Sequence, residues 1–156
     1  MDSNQQICDV ELVPLSLELC EDVYCIAVES LPEHWSLQGV KDVLRYDNNI
    51  FCVAREKDSG TIVGFAGIMM IVDEAELLNI AVSPKHRKKG IAQKLIDYVV
   101  REAQGRNAVR MLLEVRRSNE AAKCLYEKNG FTAFAERKGY YSNPKEDAII
   151  MEKRME

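Results

Sequence analysis

The segment spanning residues 76–115 constrains the fold of this chain more than any other part. Residues 76–82 form an apolar run bounded by Pro84, and residues 109–115 form a second run with strand character. A helix is predicted between them from one apolar stripe, formed by Ala92, Leu95, Ile96, Val99 and Ala103. Two strands joined through a helix pair in parallel with a right-handed crossover. The chain is therefore predicted to contain a parallel βαβ unit.

The residues before this unit predict one strand and two helices. Residues 8–14 alternate enough to form a strand, and residues 15–30 predict a helix that Pro32 ends. The apolar face of that helix is formed by Leu15, Leu19, Val23 and Ala27. A shorter helix is predicted over residues 37–45, with one face formed by Leu37, Val40 and Leu44.

An antiparallel strand pair is predicted before the βαβ unit, and two closing strands are predicted after it. Residues 49–55 and 62–72 are rich in β-branched and aromatic residues, and the Asp-Ser-Gly sequence between them is typical of a hairpin turn. A helix after the βαβ unit ends at Gly130, and residues 131–137 and 147–153 predict two closing strands. The predicted fold class is therefore α/β (α+β), with a mixed, mostly antiparallel central sheet flanked by helices.

The length and composition predict a single globular domain. A chain of 156 residues with 47% hydrophobic and 29% charged residues can bury one sizeable core. Residues 1–7 are expected to form a flexible N-terminal tail and residues 8–156 the domain. The formal net charge of -4 argues against direct nucleic-acid binding, because neutralising phosphates requires an excess of Lys and Arg. The sequence leaves the oligomeric state open.

The cysteines and the N-terminus predict a cytoplasmic protein. The five cysteines are odd in number and none forms the CxxC pair of a zinc or redox site, so reduced thiols are expected. His34 and His86 do not form a metal-ligand pattern, and no metal is expected. The N-terminal residues lack the features of a secretory signal, and no apolar run reaches the ~20 residues of a membrane span.

A basic loop joins the first strand of the βαβ unit to its helix and is a candidate anion site. Arg87, Lys88 and Lys89 precede Gly90, which lets the backbone approach a ligand closely. The first N–H groups of the helix and its dipole would hold a pyrophosphate there. On spacing alone, a solvated basic loop with a turn glycine is an equal alternative. The carboxyl end of a parallel strand is, however, where open α/β sheets usually bind ligands.

Arg87, Gly90 and Ala92 form the pattern RxxGxA, which matches the acetyl-CoA loop of the GNAT acetyltransferases. The flanking sequences LLNIAVSP, LLEVRRSNEAAKCLYEKNGF and YYSNPKEDAIIM resemble the bacterial ribosomal-protein-alanine N-acetyltransferases in order and spacing. This resemblance is dense over residues 76–151 and loose before them, where it rests on the order of elements and the Trp35-Ser36 pair. It implies a single GNAT-type domain whose parallel strands splay apart to form an acetyl-CoA cleft.

The resemblance also assigns residues to the coenzyme. The amides from Arg87 through Ala92 would bind the pyrophosphate, and the backbone of Ile80 and Val82 would pair with the pantetheine amides. Asn119, which with Ser118 is a candidate cap of the following helix, would contact the coenzyme as well. The full set is Ile80, Ala81, Val82, Arg87, Lys88, Lys89, Gly90, Ile91, Ala92, Asn119 and Tyr126.

Two titratable residues receive catalytic roles from the resemblance. Glu114 is implied as the general base, acting through water, and Tyr126 as the general acid toward the coenzyme sulfur. Glu114 lies in an apolar run, where an unpaired carboxylate would be costly, but a charged residue near a strand end is the alternative. For Tyr126 the alternative is a ring that packs on the sheet.

The acceptor wall is implied to include Trp35, Tyr140 and Tyr141. For Trp35 a core position is favoured over a substrate wall, and the two tyrosines, expected in the loop between the closing strands, can equally be surface packing. A covalent route through Cys124 is disfavoured, since His86 on the coenzyme loop is the only histidine in the matched region.

The reaction that the resemblance implies is direct acetyl transfer, in a ternary complex, from acetyl-CoA to a protein N-terminal α-amine, with a ribosomal-protein alanine as the leading acceptor. Lysine side chains or small-molecule amines are alternative acceptors. A non-catalytic acyl-CoA-binding module is the alternative from another class, because a fold can outlast its chemistry.

Overall fold

The computed structural model describes residues 9–155, so the predicted tail and the first and last residues of the predicted domain lie outside the described residues. The strands are β1 (Val10–Pro14), β2 (Asn49–Glu56), β3 (Ile62–Ile71), β4 (Glu74–Val82), β5 (Arg110–Arg116), β6 (Thr132–Tyr141) and β7 (Glu146–Arg154). The α-helices are α1 (Cys20–Ser30), α2 (Leu37–Asp42), α3 (Ile91–Gly105) and α4 (Glu120–Lys128). No helix in this part of the chain is long and apolar enough to cross a membrane.

The strands form one sheet in the order β1-β2-β3-β4-β5-β7-β6. Its neighbouring strands are antiparallel, with the exception of the parallel β4–β5 pair. The predicted mixed, mostly antiparallel sheet, its hairpin and its parallel pair are therefore confirmed. The last strand, β7, inserts between β5 and β6, so the two closing strands occupy an edge in an order that the sequence did not predict.

The parallel strands separate soon after they meet. β4 and β5 pair from Glu74–Arg110 to Glu76–Leu112, whereas β4 continues to Val82. On its other side, the register of β4 with β3 shifts so that Leu78 is an extra residue. Such a bulge bends the strand that carries it. The carboxyl ends of β4 and β5 therefore diverge, as the sequence predicted, and leave an opening in the sheet.

Helices cover both faces of the sheet and complete two apolar clusters. On one face, α3 buries most of the predicted stripe, with Leu95, Val99 and Ala103 fully inaccessible and Ala92 partly buried, and Ile91 joins it. On the other face, α1 and α2 pack on the sheet through residues such as Val23. The sheet is therefore packed between helices, and the opening between β4 and β5 lies within this packed sheet.

Several predicted boundaries are wrong for identifiable reasons. The segment 15–30 begins with a short 3₁₀ turn, so α1 starts only at Cys20. After Asp42 the chain tightens into a 3₁₀ turn with about three residues per turn, which buries Val43 and leaves Leu44 41% exposed. The expected apolar position of Leu44 is therefore incorrect.

The closing strands are longer than predicted. β6 extends to Tyr141, so Tyr140 and Tyr141 belong to a strand rather than to the loop in which they were expected. β6 is the exposed edge of the sheet. Its sequence lacks the alternation of apolar and polar residues that marks a half-buried strand, so its full length was not predicted.

Candidate active site

The diverging strands open into a cleft of about 1470 Å³. Its walls come from β4, β5, the start of α3, α4, the α1–α2 loop and the end of β6. Every site residue predicted from the sequence lines this cleft except Lys89. The elements that carry these residues are far apart in sequence, so the fold brings the predicted coenzyme, catalytic and acceptor residues together.

The basic loop enters the cleft at the start of α3. Gly90 adopts the left-handed conformation, with φ of 79°, and α3 begins after it without a side-chain cap on its first N–H groups. A Cβ built on Gly90 would meet nothing within 4 Å, so its outer face is open. Lys88, at φ of 65°, also lies in the left-handed region. Successive N–H groups in such conformations form a concave site that suits an anion.

The side chains of the basic loop have different surroundings. Arg87 donates through Nε to the carbonyl of Val82 at 3.2 Å, so its side chain ties the loop to the end of β4. His86 lies 3.5 Å from the Glu56 carboxylate and anchors the loop to β2. Lys88 is exposed and lines the cleft, whereas Lys89 is exposed outside it. The loop therefore offers one lysine and a set of helix N–H groups to a ligand.

Glu114 extends from β5 into the cleft, where Arg137 and Tyr140 contact its carboxylate. Its neighbours Leu113 and Val115 are buried on the opposite face, because successive strand residues alternate. Arg137 Nε lies 3.2 Å from a Glu114 carboxylate oxygen, and the Glu114 side chain is 24% exposed. A hydrogen bond to this carboxylate raises the pKa of the Tyr140 hydroxyl. The carboxylate is thus paired and oriented, rather than unpaired among apolar residues.

A second carboxylate, which the sequence did not suggest as a site residue, lies beside Glu114. Glu76 on β4 pairs in register with Leu112, two residues before Glu114, and lines the same cleft. Desolvation raises the pKa of Glu76, the nearby Glu114 charge raises it further, and Arg137 opposes both. The one available signal was a glutamate at the start of a mostly apolar run.

Tyr126 packs in the core and also lines the cleft. It is 7% exposed, and its ring meets the edge of Phe131 with centroids 5.8 Å apart. It also lines the cleft from α4. The pKa of Tyr126 is raised to about 12, mainly by burial and to a smaller extent by the neighbouring Tyr141. The phenol is therefore protonated at neutral pH and can donate a proton.

Asn119 caps α4. Its side-chain oxygen accepts a hydrogen bond from the Ala122 N–H at 3.1 Å, which satisfies a first-turn donor of the helix. Asn119 also lines the cleft, so the cap fixes the start of α4 at the cleft wall.

Aromatic residues form the remaining wall. Trp35 is half-buried, packs against Phe51 at 5.8 Å between centroids, and lines the cleft, so it belongs to both the core and the wall. Tyr140 and Tyr141 meet edge to face at 5.0 Å. The guanidinium of Arg116 lies 4.4 Å from the Tyr141 ring centroid. This last contact was not predicted.

Fold and cleft together define an acetyltransferase of the GNAT class. Residues 20–131 match the model of the acetyltransferase (GNAT) family, which is most of the chain. The protein therefore belongs to this family, whose members use acetyl-CoA.

Individual relatives within the family have names that state a more specific activity. A protein of Bacillus subtilis, proposed by its name to be a ribosomal protein bS18-alanine N-acetyltransferase, is 34% identical over 88% of this chain and 90% of its own length. The Escherichia coli protein of that name is 40% identical, over 60% of this chain and 64% of its own length. The crystal structure of the Escherichia coli enzyme superimposes with a TM-score of 0.85 at 29% identity, covering 94% of both chains.

Proposed function

We propose that this protein transfers the acetyl group of acetyl-CoA to the N-terminal α-amine of a protein, with the N-terminal alanine of a ribosomal protein as its acceptor. The observation that carries the proposal is that one cleft contains the open loop at Gly90, the carboxylate of Glu114 and the protonated phenol of Tyr126. The names of the Bacillus and Escherichia coli relatives support the acceptor. A ribosomal acceptor implies that the reaction takes place in the cytoplasm.

The coenzyme would bind along the β4 wall and the start of α3. The N–H groups from Lys88 to Ala92 suit the pyrophosphate, because the left-handed Gly90 leaves the approach open. β4 beyond Glu76 has no described pairing with β5, so its backbone from Ile80 to Val82 can pair with pantetheine amides. A Val82 N–H near the thioester would stabilise the negative charge on its oxygen.

The catalytic step requires two proton transfers. The neutral amine nitrogen attacks the thioester carbonyl carbon, forming the new C–N bond, and Glu114 takes up the amine proton through water. The C–S bond then breaks, and Tyr126 donates its proton to the departing sulfur. Arg137 and Tyr140 hold the Glu114 carboxylate in place for this exchange. Coenzyme A and an acetylated amine leave the site.

The α-amine suits a modest base. Its pKa of about 7.7 to 8.0 lies roughly 2.5 units below that of lysine at ~10.4, so a useful fraction is neutral at pH 7. A carboxylate that is ion-paired with Arg137 has to remove only the proton released by the attack. The lysine side chain would additionally have to lose its resting proton.

A comparison of acceptors tests the proposal. We expect a peptide with a free N-terminal alanine to be acetylated with a higher kcat/KM than either an N-terminally blocked peptide with one lysine or spermidine. A higher kcat/KM for the blocked lysine peptide or for spermidine would refute the α-amine assignment and leave acetyl transfer itself standing.

A further inference from the structure

One arginine connects the two loops on the acceptor side of the cleft. Arg116 is the last residue of β5, and its side chain is only 11% exposed. One terminal nitrogen donates to the carbonyl of Pro144 and to the carboxylate of Glu146, both at 3.0 Å. The other donates to the carbonyl of Ser142 at 3.0 Å and to the carboxylate of Glu33. The planar guanidinium is thus shared between the β6–β7 loop and the α1–α2 loop.

The partners of Arg116 on the β6–β7 side are fixed. Glu146 is 17% exposed, and its second carboxylate oxygen accepts a hydrogen bond from the Ser118 N–H at 2.6 Å. The Tyr141 ring lies against the guanidinium at 4.4 Å. Arg116 therefore holds the aromatic wall of the cleft against the start of α4.

The partner on the α1–α2 side is more accessible. Glu33 is 50% exposed and is two residues from Trp35, and both line the cleft. The Arg116–Glu33 ion pair joins positions that are 83 residues apart in sequence. Breaking it would remove this tie between the α1–α2 loop and β5, while Arg116 kept its contacts with the β6–β7 loop.

We propose that Arg116 and Glu33 form a latch that positions the acceptor-binding wall. The latch joins the loop that leads to Trp35 to the strand end that carries Tyr141, and so sets the width of the acceptor side of the cleft. Both are positioning residues, since the latch acts through the aromatic side chains. This inference rests on the proposed function, because it concerns the acceptor of that reaction.

If Arg116 and Glu33 form this latch, changing either residue should alter the KM for the acceptor but not the KM for acetyl-CoA. Arg116→Lys keeps the charge but loses the planar fork that bonds several partners at once. We expect the KM for the alanine peptide to rise about tenfold, since a misplaced acceptor binds poorly, with kcat changed less than about threefold. The KM for acetyl-CoA should stay within about twofold of its original value. Glu33→Gln should raise the acceptor KM in the same way.

Arg110→Lys is the matched control. Arg110 lies at the other end of β5 and is ion-paired with Glu74 at 2.7 Å and Glu152 at 3.0 Å, away from the cleft. This variant should lower the Tm without changing the acceptor KM. Because it also removes a multiply bonded arginine from the same strand, it separates a positioning effect from general destabilisation.

The double variant decides whether the two residues act together. If they form one latch, Glu33→Gln should change the acceptor KM less than about twofold in the Arg116→Lys background. A full, independent effect of Glu33→Gln in that background would show that Glu33 contacts the acceptor directly, and would overturn the latch. So would an unchanged acceptor KM in Arg116→Lys. Activity of the unmodified protein on the alanine peptide is measured first, so failure of the proposed function is recognised separately.

Discussion

Gly90→Ala is expected to weaken acetyl-CoA binding as well as the fold. Gly90 has φ of 79°, and a Cβ at this position meets no protein atom within 4 Å. The methyl group therefore costs the fold only the left-handed strain of an alanine, about 1 to 2 kcal/mol. For a chain of this size that corresponds to a Tm lower by about 2 to 8 °C.

The β2–β3 turn provides a matched control. Gly60 has φ of 77°, its Cβ position is equally open, and it lies outside the cleft. Gly60→Ala should therefore lower the Tm of the free protein about as much as Gly90→Ala. Only the Gly90 methyl would occupy the face on which we expect the pyrophosphate.

Thermal unfolding with and without acetyl-CoA distinguishes the two variants. At a concentration of about 100 times its Kd, a ligand stabilises the folded state by about 2.7 kcal/mol. A tenfold weaker Kd at the same concentration leaves about 1.4 kcal/mol, so the ligand-induced rise in Tm should be halved in Gly90→Ala. Gly60→Ala should keep the full rise. Equal rises in both variants would refute the assignment of the loop to the coenzyme.

Three further results are expected. Glu114→Gln and Tyr126→Phe should each lower kcat by about a hundredfold to ten-thousandfold, with the calorimetric Kd for acetyl-CoA nearly unchanged; wild-type kcat values would remove them from the mechanism. Because burial raises the pKa of Tyr126 to about 12, the acid stays protonated at pH 10, and kcat should show no loss centred there; a decline with a midpoint near pH 10 would contradict this role. The raised pKa of Glu76 means that its ionisation disfavours the fold, so Glu76→Gln should raise the Tm at pH 7.5 and not at pH 4. Glu74→Gln, which breaks the ion pair with Arg110, should lower the Tm at pH 7.5; a lower Tm in both variants would disprove the desolvation argument.

The parallel pair and the coenzyme loop were predictable because their signals are local. The stripe of α3 has helical periodicity, and Gly90 follows the basic residues directly in sequence. The position of Glu114 was likewise predictable from the flanking motif. Its roles, like those of the other site residues, remain proposals that the variants above test.

The partners of the site residues could not be predicted, because they depend on strand order. Arg137 reaches Glu114 across β7, which lies between β5 and β6. Glu76 faces Glu114 only because the β4–β5 register aligns it with Leu112. The Arg116–Glu33 pair likewise links the end of β5 to the α1–α2 loop, which is distant in sequence. Pairings of this kind follow from the topology of the sheet and leave no periodic pattern in the sequence.

The central claim is that the cleft directs the acetyl group of acetyl-CoA to an α-amine. The most direct measurement uses one peptide that carries both a free N-terminal alanine and an internal lysine, incubated with the protein and acetyl-CoA. Fragmentation mass spectrometry then locates the first acetyl group. We predict that it is found on the alanine nitrogen, because the α-amine is partly neutral at pH 7 whereas only about one lysine in a few thousand is. Acetylation of the lysine first, with the N-terminus left free, would contradict this account.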